Sequence, residues 1–323
     1  MRRRQARRTL AELDREIVAA EDTAYAHHGV AREERYLDLD TGLGGVEVRV
    51  SVFGTQNHQP PVLLLHGIGS AQVLAAPLLP FLSDRQVIAL DWPGHGLSQS
   101  CVLTPGHDMR AHASMVIASL LDALDVTACD LVGHSMGAQF GLYAALDLPE
   151  RLRRLVLLGA PGAAFEGIRP LVAMKLLAVP RLGPALLSRP MSERAFDRFQ
   201  DQALGAGALA ATPELVPALR LLTARTANAA ALASYFRAMI RHGAVRAGVA
   251  LSAADLGHLI QPTLLVWGDH DVFLSPGTAA RSIVALPDAH LVRVPGAGHA
   301  PWLQATQRVG NAVAQHLNTV TSG

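Results

Sequence analysis

The stretch DLVGHSMGAQFG, residues 130–141, sets one serine, Ser135, between Gly133 and Gly137, where an apolar run of strand character gives way to a helical pattern. Gly133-His134-Ser135-Met136-Gly137 fits G-x-S-x-G, a weak pattern by itself in a glycine-rich chain. Its position at a strand-to-helix junction makes it informative. A turn this tight leaves no room for side chains on its flanks, so glycine is required on both sides. The serine hydroxyl is then lifted above the sheet at the N-terminus of the next helix, where the helix dipole favours developing negative charge.

Outward from that turn, strands and helices alternate. "RYLDLD" and "VEVRVSVFG" alternate apolar and polar residues, as a half-exposed antiparallel pair does. "PVLLLHG", "QVIALDWPG", "CDLVGHS", "RRLVLLGAPG", "PTLLVWGDHD" and "HLVRVPGAGH" are continuous apolar runs of the kind buried parallel strands show. Helical stretches, such as 108–124 and 136–147, separate most of them. The fold class expected is therefore α/β, a mostly parallel sheet with helices on both faces. Between Gly162 and about Leu259 the rhythm breaks into Leu/Ala-rich helical patterns cut by Pro180, Pro184, Pro190, Pro213 and Pro217, far too long for a plain connection. The organisation expected is an N-terminal helical extension (1–34), a first part of the core (35–162), an inserted helical cap (163–258) and a second part of the core (259–323). Thr9 and Glu12 have capping-box spacing, and Leu10, Leu13 and Ile17 share one face of the helix that follows. That helix reads as a strut on the core, with a membrane-surface or partner helix as the other reading.

Composition narrows the function classes. Half of the 323 residues are hydrophobic and the formal net charge is +1, so no global field draws the chain to nucleic acid or to an anionic membrane. Cys101 and Cys129 make neither a disulfide framework nor a zinc spacing, and Cys129 reads as a buried, inert thiol. MRRRQARR, residues 1–8, is basic, but no apolar leader core follows it, and no charge-free run approaches the ~20 residues of a membrane span. A cytoplasmic protein with no membrane span is expected.

A serine needs a base. Reactive groups in an open α/β sheet gather beyond the carboxyl ends of the strands, which filters the histidines. His290 starts its strand, His316 lies in the last helix, and His27 and His28 precede the sheet. His299, in "PGAGHAPW" after the last strand, is at the correct end. His134 packs behind the turn, while His66 and His95 end other strands and either line a pocket or hold turns. Asp269 and Asp271 both follow the strand "TLLVWG", and spacing leaves the orienting carboxylate open between them. The glycines of His66-Gly67-Ile68-Gly69 let the Ile68 amide face the serine, paired with the Met136 amide as an oxyanion hole. No phosphate-loop pattern and no metal-ligand spacing is present.

With these residues assembled, "HGIG", "DWPGHGLS", "GHSMG", "WGDHD" and "GAGH" together resemble the α/β-hydrolase superfamily, over about residues 35–323 and in the order serine, acid, histidine. The resemblance implies an eight-stranded sheet whose second strand is antiparallel, with a helical cap after the sixth strand. Its G-x-x-D pattern, laid on Gly268 to Asp271, favours Asp271 as the acid. Ser70-Ala71 departs from the longer glycine-and-proline loop of meta-cleavage C–C hydrolases. Ser135 itself departs from the aspartate of epoxide hydrolases and haloalkane dehalogenases, and Met136 from the tryptophan of proline iminopeptidases. A capped, esterase-like serine hydrolase is the nearest branch, acting without cofactor or metal on a small, apolar molecule. A C–C hydrolase, thioesterase, acyltransferase or non-catalytic receptor on the same site is the alternative. Trp92, Trp267 and Trp302 sit in the motif loops, as pocket wall or as packing. Met174, Leu176, Leu177, Tyr235, Phe236 and Met239 face either substrate or the cap's own core.

Overall fold

The computed structural model describes residues 9–319; the basic stretch 1–8 and the last four residues lie outside the described residues. Helix α1 (Leu10–His27) comes first, followed by strands β1 (Arg32–Asp40), β2 (Gly45–Phe53), β3 (Val62–Leu65) and β4 (Val87–Leu90). Helix α2 (Met109–Ala123), strand β5 (Cys129–His134), helix α3 (Met136–Asp147) and strand β6 (Leu152–Leu158) complete the first half. The last part holds β7 (Thr263–Gly268) and β8 (Ala289–Val294).

The eight strands form one sheet in the order β1-β2-β4-β3-β5-β6-β7-β8. Strand β2 runs antiparallel to both β1 and β4, and the other pairs are parallel. Every residue of β3, β4, β5 and β7 is buried, whereas β1 shows mostly exposed or half-buried positions. That contrast follows from composition: only a strand covered on both faces can be apolar throughout.

The sheet divides two apolar cores. On one face α2 and α3 pack around Trp92, Phe140 and Trp267. On the other, Tyr25 of α1, Trp302, a 3-10 segment over Gln72–Leu82 and the C-terminal helix pack together. Pro77 and Pro80 interrupt that 3-10 segment, where their missing N–H groups preclude a regular α-helix.

Between β6 and β7 the chain folds as short helices. These are α4 (Val172–Leu177), α5 (Leu182–Leu187), α6 (Glu193–Leu204), α7 (Val216–Ala224), α8 (Ala229–Met239) and α9 (Ala253–Leu256). A two-stranded hairpin, Ile240–Arg241 with Ala244–Val245, interrupts them. Its strands are too short to leave a periodic signal. Short helices α10 (Ala280–Val284) and α11 (Pro301–Gln304) and the longer α12 (Thr306–Asn318) finish the chain.

Helix α1 opens with the capping box, Glu12 N–H donating to Thr9 Oγ1 at 3.2 Å and Thr9 N–H to the Glu12 carboxylate at 2.8 Å. It is bound to the core by charge as well as by packing. Glu21 is fully buried and accepts from Arg49 of β2 and from Arg32, the latter at 2.9 Å. Arg49, also fully buried, reaches Asp91 at 3.3 Å beyond the end of β4. Asp14 takes Arg225 at 2.6 Å and His28 meets Glu214 at 3.0 Å, so the same helix braces the inserted segment. Removing one partner of a buried ion pair strands the other charge in a medium that cannot solvate it, at a cost of about 3 kcal/mol or more. Glu21→Ala should therefore lower the unfolding free energy by about 3 kcal/mol in a urea titration; a change within experimental error would show that Arg32, Arg49 and Asp91 satisfy one another without it.

Candidate active site

Six loops leave the carboxyl ends of β3 to β8, and the residues singled out above sit on them. Ser135 follows β5 with φ 53° and ψ −116°, a left-handed region that a residue with a side chain enters at a cost of roughly 1–3 kcal/mol. The neighbouring glycines make the turn possible. A Cβ on Gly133 would come within 2.7 Å of Ala138, and one on Gly137 would strike the Leu65 carbonyl oxygen. The Ser135 side chain caps nothing on α3 and is left half-exposed. The loop after β3 presses against it, since a Cβ on Gly67 would lie 3.1 Å from Ser135 Cβ. Among the described residues, neither the Ile68 amide nor the Met136 amide donates to a protein acceptor. Two uncommitted N–H groups therefore flank the serine.

His299 and Asp271 meet on the other side. His299 Nδ1–H donates to Asp271 Oδ2 at 2.8 Å, which leaves Nε2 as the acceptor of the neutral ring. Asp271 is further held by the amides of Ala160 at 2.9 Å and Phe273 at 3.0 Å. Burial alone pushes its carboxyl up, but the His299 charge, that hydrogen bond and the two amides outweigh burial and hold it below its ordinary value. Asp269 instead pairs with Arg293 at 2.8 Å on the surface, so the geometry separates the two aspartates that spacing left open. Ser135 and His299 are not hydrogen-bonded to each other in this structure; both border the same cavity.

That cavity has a volume of about 480 Å³ and lies between the sheet's carboxyl edge and the inserted helices. Gly67, Ile68, His95, Met136 and Phe273 border it on the core side, while Met174, Leu176, Leu177, Phe236 and Met239 do so from above. Tyr235 does not. Its ring packs on His95 and its hydroxyl meets His112 Nε2 at 2.9 Å.

Three pocket candidates also lie outside the main cavity. His66 uses both nitrogens in the turn, Nδ1–H donating to the Gly67 carbonyl at 2.7 Å and Nε2 accepting from the Trp92 amide at 3.1 Å. Trp267 and Trp302 are buried with their indole N–H groups on the Leu274 and Leu74 carbonyls, both at 3.0 Å. A buried indole needs such an acceptor, and satisfying it turned both rings inward. Cys129 is fully buried and its thiol is pushed up to about 12 by burial first and Asp130 second. Among the described residues no group of His, Cys, Asp and Glu is arranged to hold a metal ion, and no helix is long and apolar enough to cross a membrane.

Two contributors escaped the sequence reading. Gly159, at φ +68° just after β6, lets the chain pass under His299, whose carbonyl oxygen a Cβ there would strike. The next amide, Ala160, then reaches Asp271. Phe273 lies edge-on to the imidazole with centroids 4.4 Å apart. The glycine ending "RRLVLLG" was the available signal for the first, but nothing in the sequence marks the second.

Residues 60–306 match the family model of the α/β-hydrolase fold. The chain belongs to the α/β-hydrolase family. It is 40% identical over 129 residues to a 2-hydroxy-6-oxo-2,4-heptadienoate hydrolase of Pseudomonas putida, covering 38% of this chain and 44% of that one. It is 27% identical over 292 residues to a 2-hydroxy-6-oxononadienedioate/2-hydroxy-6-oxononatrienedioate hydrolase of Burkholderia vietnamiensis, covering 84% and 92%. The crystal structure of carboxylesterase CesB from Bacillus subtilis superposes with a TM-score of 0.73 at 19% identity, over 95% and 99% of the two chains, a likeness of fold. The named sequence relatives are hydrolases, and the likeness to the carboxylesterase is one of fold.

The buried histidines around the site set a pH dependence. Burial, then the charge of His66, pushes His95 down to about 3, and burial pushes His112 down to about 4. The unfolded chain takes up these protons near 6.5, and the folded chain refuses them until much lower pH. Stability should therefore be complete above pH ~6.5 and fall toward pH ~4, each histidine removing up to about 1.4 kcal/mol per pH unit. Urea midpoints measured across that window test this; a flat profile would mean the rings are charged in the folded protein.

Proposed function

We propose that this α/β hydrolase is a serine esterase that cleaves a small, apolar carboxylic ester through an acyl-enzyme. What carries the reading is that Ser135 and the Asp271-bound imidazole border one apolar cavity, with two undonated amides beside the hydroxyl. His299 Nε2 takes the Ser135 proton as Oγ attacks the carbonyl carbon, and Asp271 stabilises the imidazolium that forms. The Ile68 and Met136 amides receive the oxyanion. Collapse of the tetrahedral intermediate expels the alcohol, protonated by His299. Water, deprotonated by the same imidazole, then releases the acid and restores the serine. The hydroxyl–imidazole hydrogen bond this needs is of the kind that tightens only when substrate is bound.

The cavity wall supports an ester with apolar groups, since aliphatic side chains supply most of it. A second reading, hydrolysis of a C–C bond beside a ketone, is favoured by the two C–C hydrolase relatives. The same nucleophile and oxyanion site serve both, and the products differ: an alcohol and an acid from the ester, a carbon acid fragment and an acid from the C–C bond.

A chain-length series of chromogenic esters, with mass spectrometry for a fluorophosphonate adduct on Ser135, tests the primary reading. Ser135→Ala should lower kcat by about 10⁴-fold or more and abolish the adduct. Asp271→Asn should cost a comparable factor and Asp269→Asn should change kcat little. Retention of most activity in Ser135→Ala would remove the acyl-enzyme, and an Asp269→Asn loss larger than that of Asp271→Asn would move the acid by two residues.

A further inference from the structure

We propose that the outer face of the 167–192 segment, with the hairpin beside it, docks on an anionic lipid bilayer surface. The proposal goes beyond the esterase reading, because docking does not depend on which bond is cut. The segment is one helix thick. On α4, Ala173, Met174 and Leu177 border the cavity, while Val172 and Lys175, one turn apart, point to solvent, and Val179 continues that face past the helix end. Helix α5 repeats the arrangement, with Leu186 and Leu187 inward and Arg181, Leu182 and Ala185 outward.

Two properties of this face point to lipid. The first is apolar exposure: Val172 is 72% exposed, Val179 43% and Leu182 40%, three of the thirteen exposed large hydrophobics among the described residues, while Leu176 and Met191, also exposed, border the cavity. Such clustering is uncommon on a surface that meets only water. The second is charge. Between Gly167 and Ser192, and again between Thr226 and Ala254, there is no Asp or Glu. Among the described residues, Arg169, Lys175, Arg181 and Arg241 are exposed in those stretches and enter no ion pair, and Arg189, likewise exposed and unpaired, borders the cavity. The hairpin brings its charge to the same face, since a Cβ on Gly243 would lie 3.6 Å from Lys175 Cδ. Of the three flanking acids, Glu193 pairs with Arg220 at 3.2 Å and Asp255 is turned back on Ser252, while the exposed Glu166 sets one negative charge against the cations of the patch.

Apolar tips interleaved with cations are what a protein lying in a bilayer interface presents, apolar side chains entering the acyl boundary and cations meeting anionic headgroups. A second copy of the chain is a poorer occupant, because a two-fold interface would set this acid-free face against itself. Nucleic acid would use the cations and leave the valine and leucine tips unburied.

The test is co-sedimentation of the full chain with vesicles of phosphatidylcholine alone and of phosphatidylcholine mixed with phosphatidylglycerol. Binding to the mixed vesicles, absent with phosphatidylcholine alone and lost at high salt, is expected. Arg169→Gln/Lys175→Gln/Arg181→Gln should weaken it about 10²-fold, taking about 1 kcal/mol for each cation near the surface and 1.4 kcal/mol for each factor of ten. Val172→Ser/Val179→Ser/Leu182→Ser should weaken it independently of charge. None of these six side chains borders the cavity, and an unchanged thermal midpoint by circular dichroism establishes that each variant folds; Lys175→Glu alone, expected to weaken binding in the same direction, replaces a triple variant that does not. Absence of binding to the mixed vesicles, equal binding to both vesicle types, or full binding by the charge variant overturns the proposal. So does duplex DNA binding as tight as vesicle binding and equally sensitive to the charge variant, or a concentration-dependent dimer that the apolar variant dissolves.

Discussion

The structure turns on one backbone conformation, the positive φ of Ser135 at the junction of β5 and α3. A residue with a side chain does not sit there unless its surroundings over-determine it, and here they do. The Leu65 carbonyl occupies the space a Gly137 side chain would need, and Ala138 that of one on Gly133. Strand β3, the elbow and the start of α3 are thereby locked at van der Waals contact. With the serine fixed, the Gly67 backbone can rest against it, and this alone brings the loop carrying the Ile68 amide to the place where a proposed oxyanion would form.

A second set of constraints delivers the imidazole to the same edge. Asp271 and His299 come from different loops, and each depends on the absence of a side chain elsewhere. Gly268 at the end of β7 lies under the Ala297 and Gly298 carbonyls, and Gly159 passes beneath His299. The Asp271 carboxylate then receives three donors, the imidazole and two amides, which offsets burial and keeps it charged. At the far side of the site, Asp91 accepts from the amides of Gln72 and Leu97, both at 3.1 Å, and stands 3.9 Å from His66. Through Arg49 this carboxylate is tied to Glu21, so a helix remote from the cavity is joined to the turn beside the serine by buried charge. The first helix is thus a strut of more consequence than its amphipathic pattern suggests.

Much of this was legible from residue order because the informative signals are local. A buried parallel strand is apolar throughout, and an elbow must have glycine at fixed offsets. The choice between Asp269 and Asp271 shows where locality ends. Both leave the same strand within three residues, so spacing does not part them; in the structure the position of Arg293 and of the His299 loop, 24 and 28 residues away in sequence, does. His66 and Trp302 mislead for a related reason. Position in a motif loop is readable, but whether a ring faces the cavity or turns to satisfy its own N–H depends on a carbonyl such as that of Leu74, 228 residues distant in the case of Trp302. The Glu21–Arg49 pair was invisible for the same cause, since charged residues in a helix and in an alternating strand read as solvated.

Net charge is the quantity that concealed most. A formal value of +1 is a sum over the chain and carries no information about segregation. The acids of this protein are spent largely on partners: Glu21, Asp91, Asp14, Asp147 and Asp271 all hold a cation or an imidazole. Among the described residues the cations of the 167–192 segment have no such partners, so that wall is left with an excess of positive charge although the molecule is nearly neutral. The same wall must be apolar inward to bound the cavity, and at one helix thick it has no third layer in which to hide its remaining apolar side chains. Exposed apolar side chains on the outer face are the geometric consequence of closing an apolar cavity with so thin a layer, and the positive charge beside them comes from the acid-free sequence of the segment.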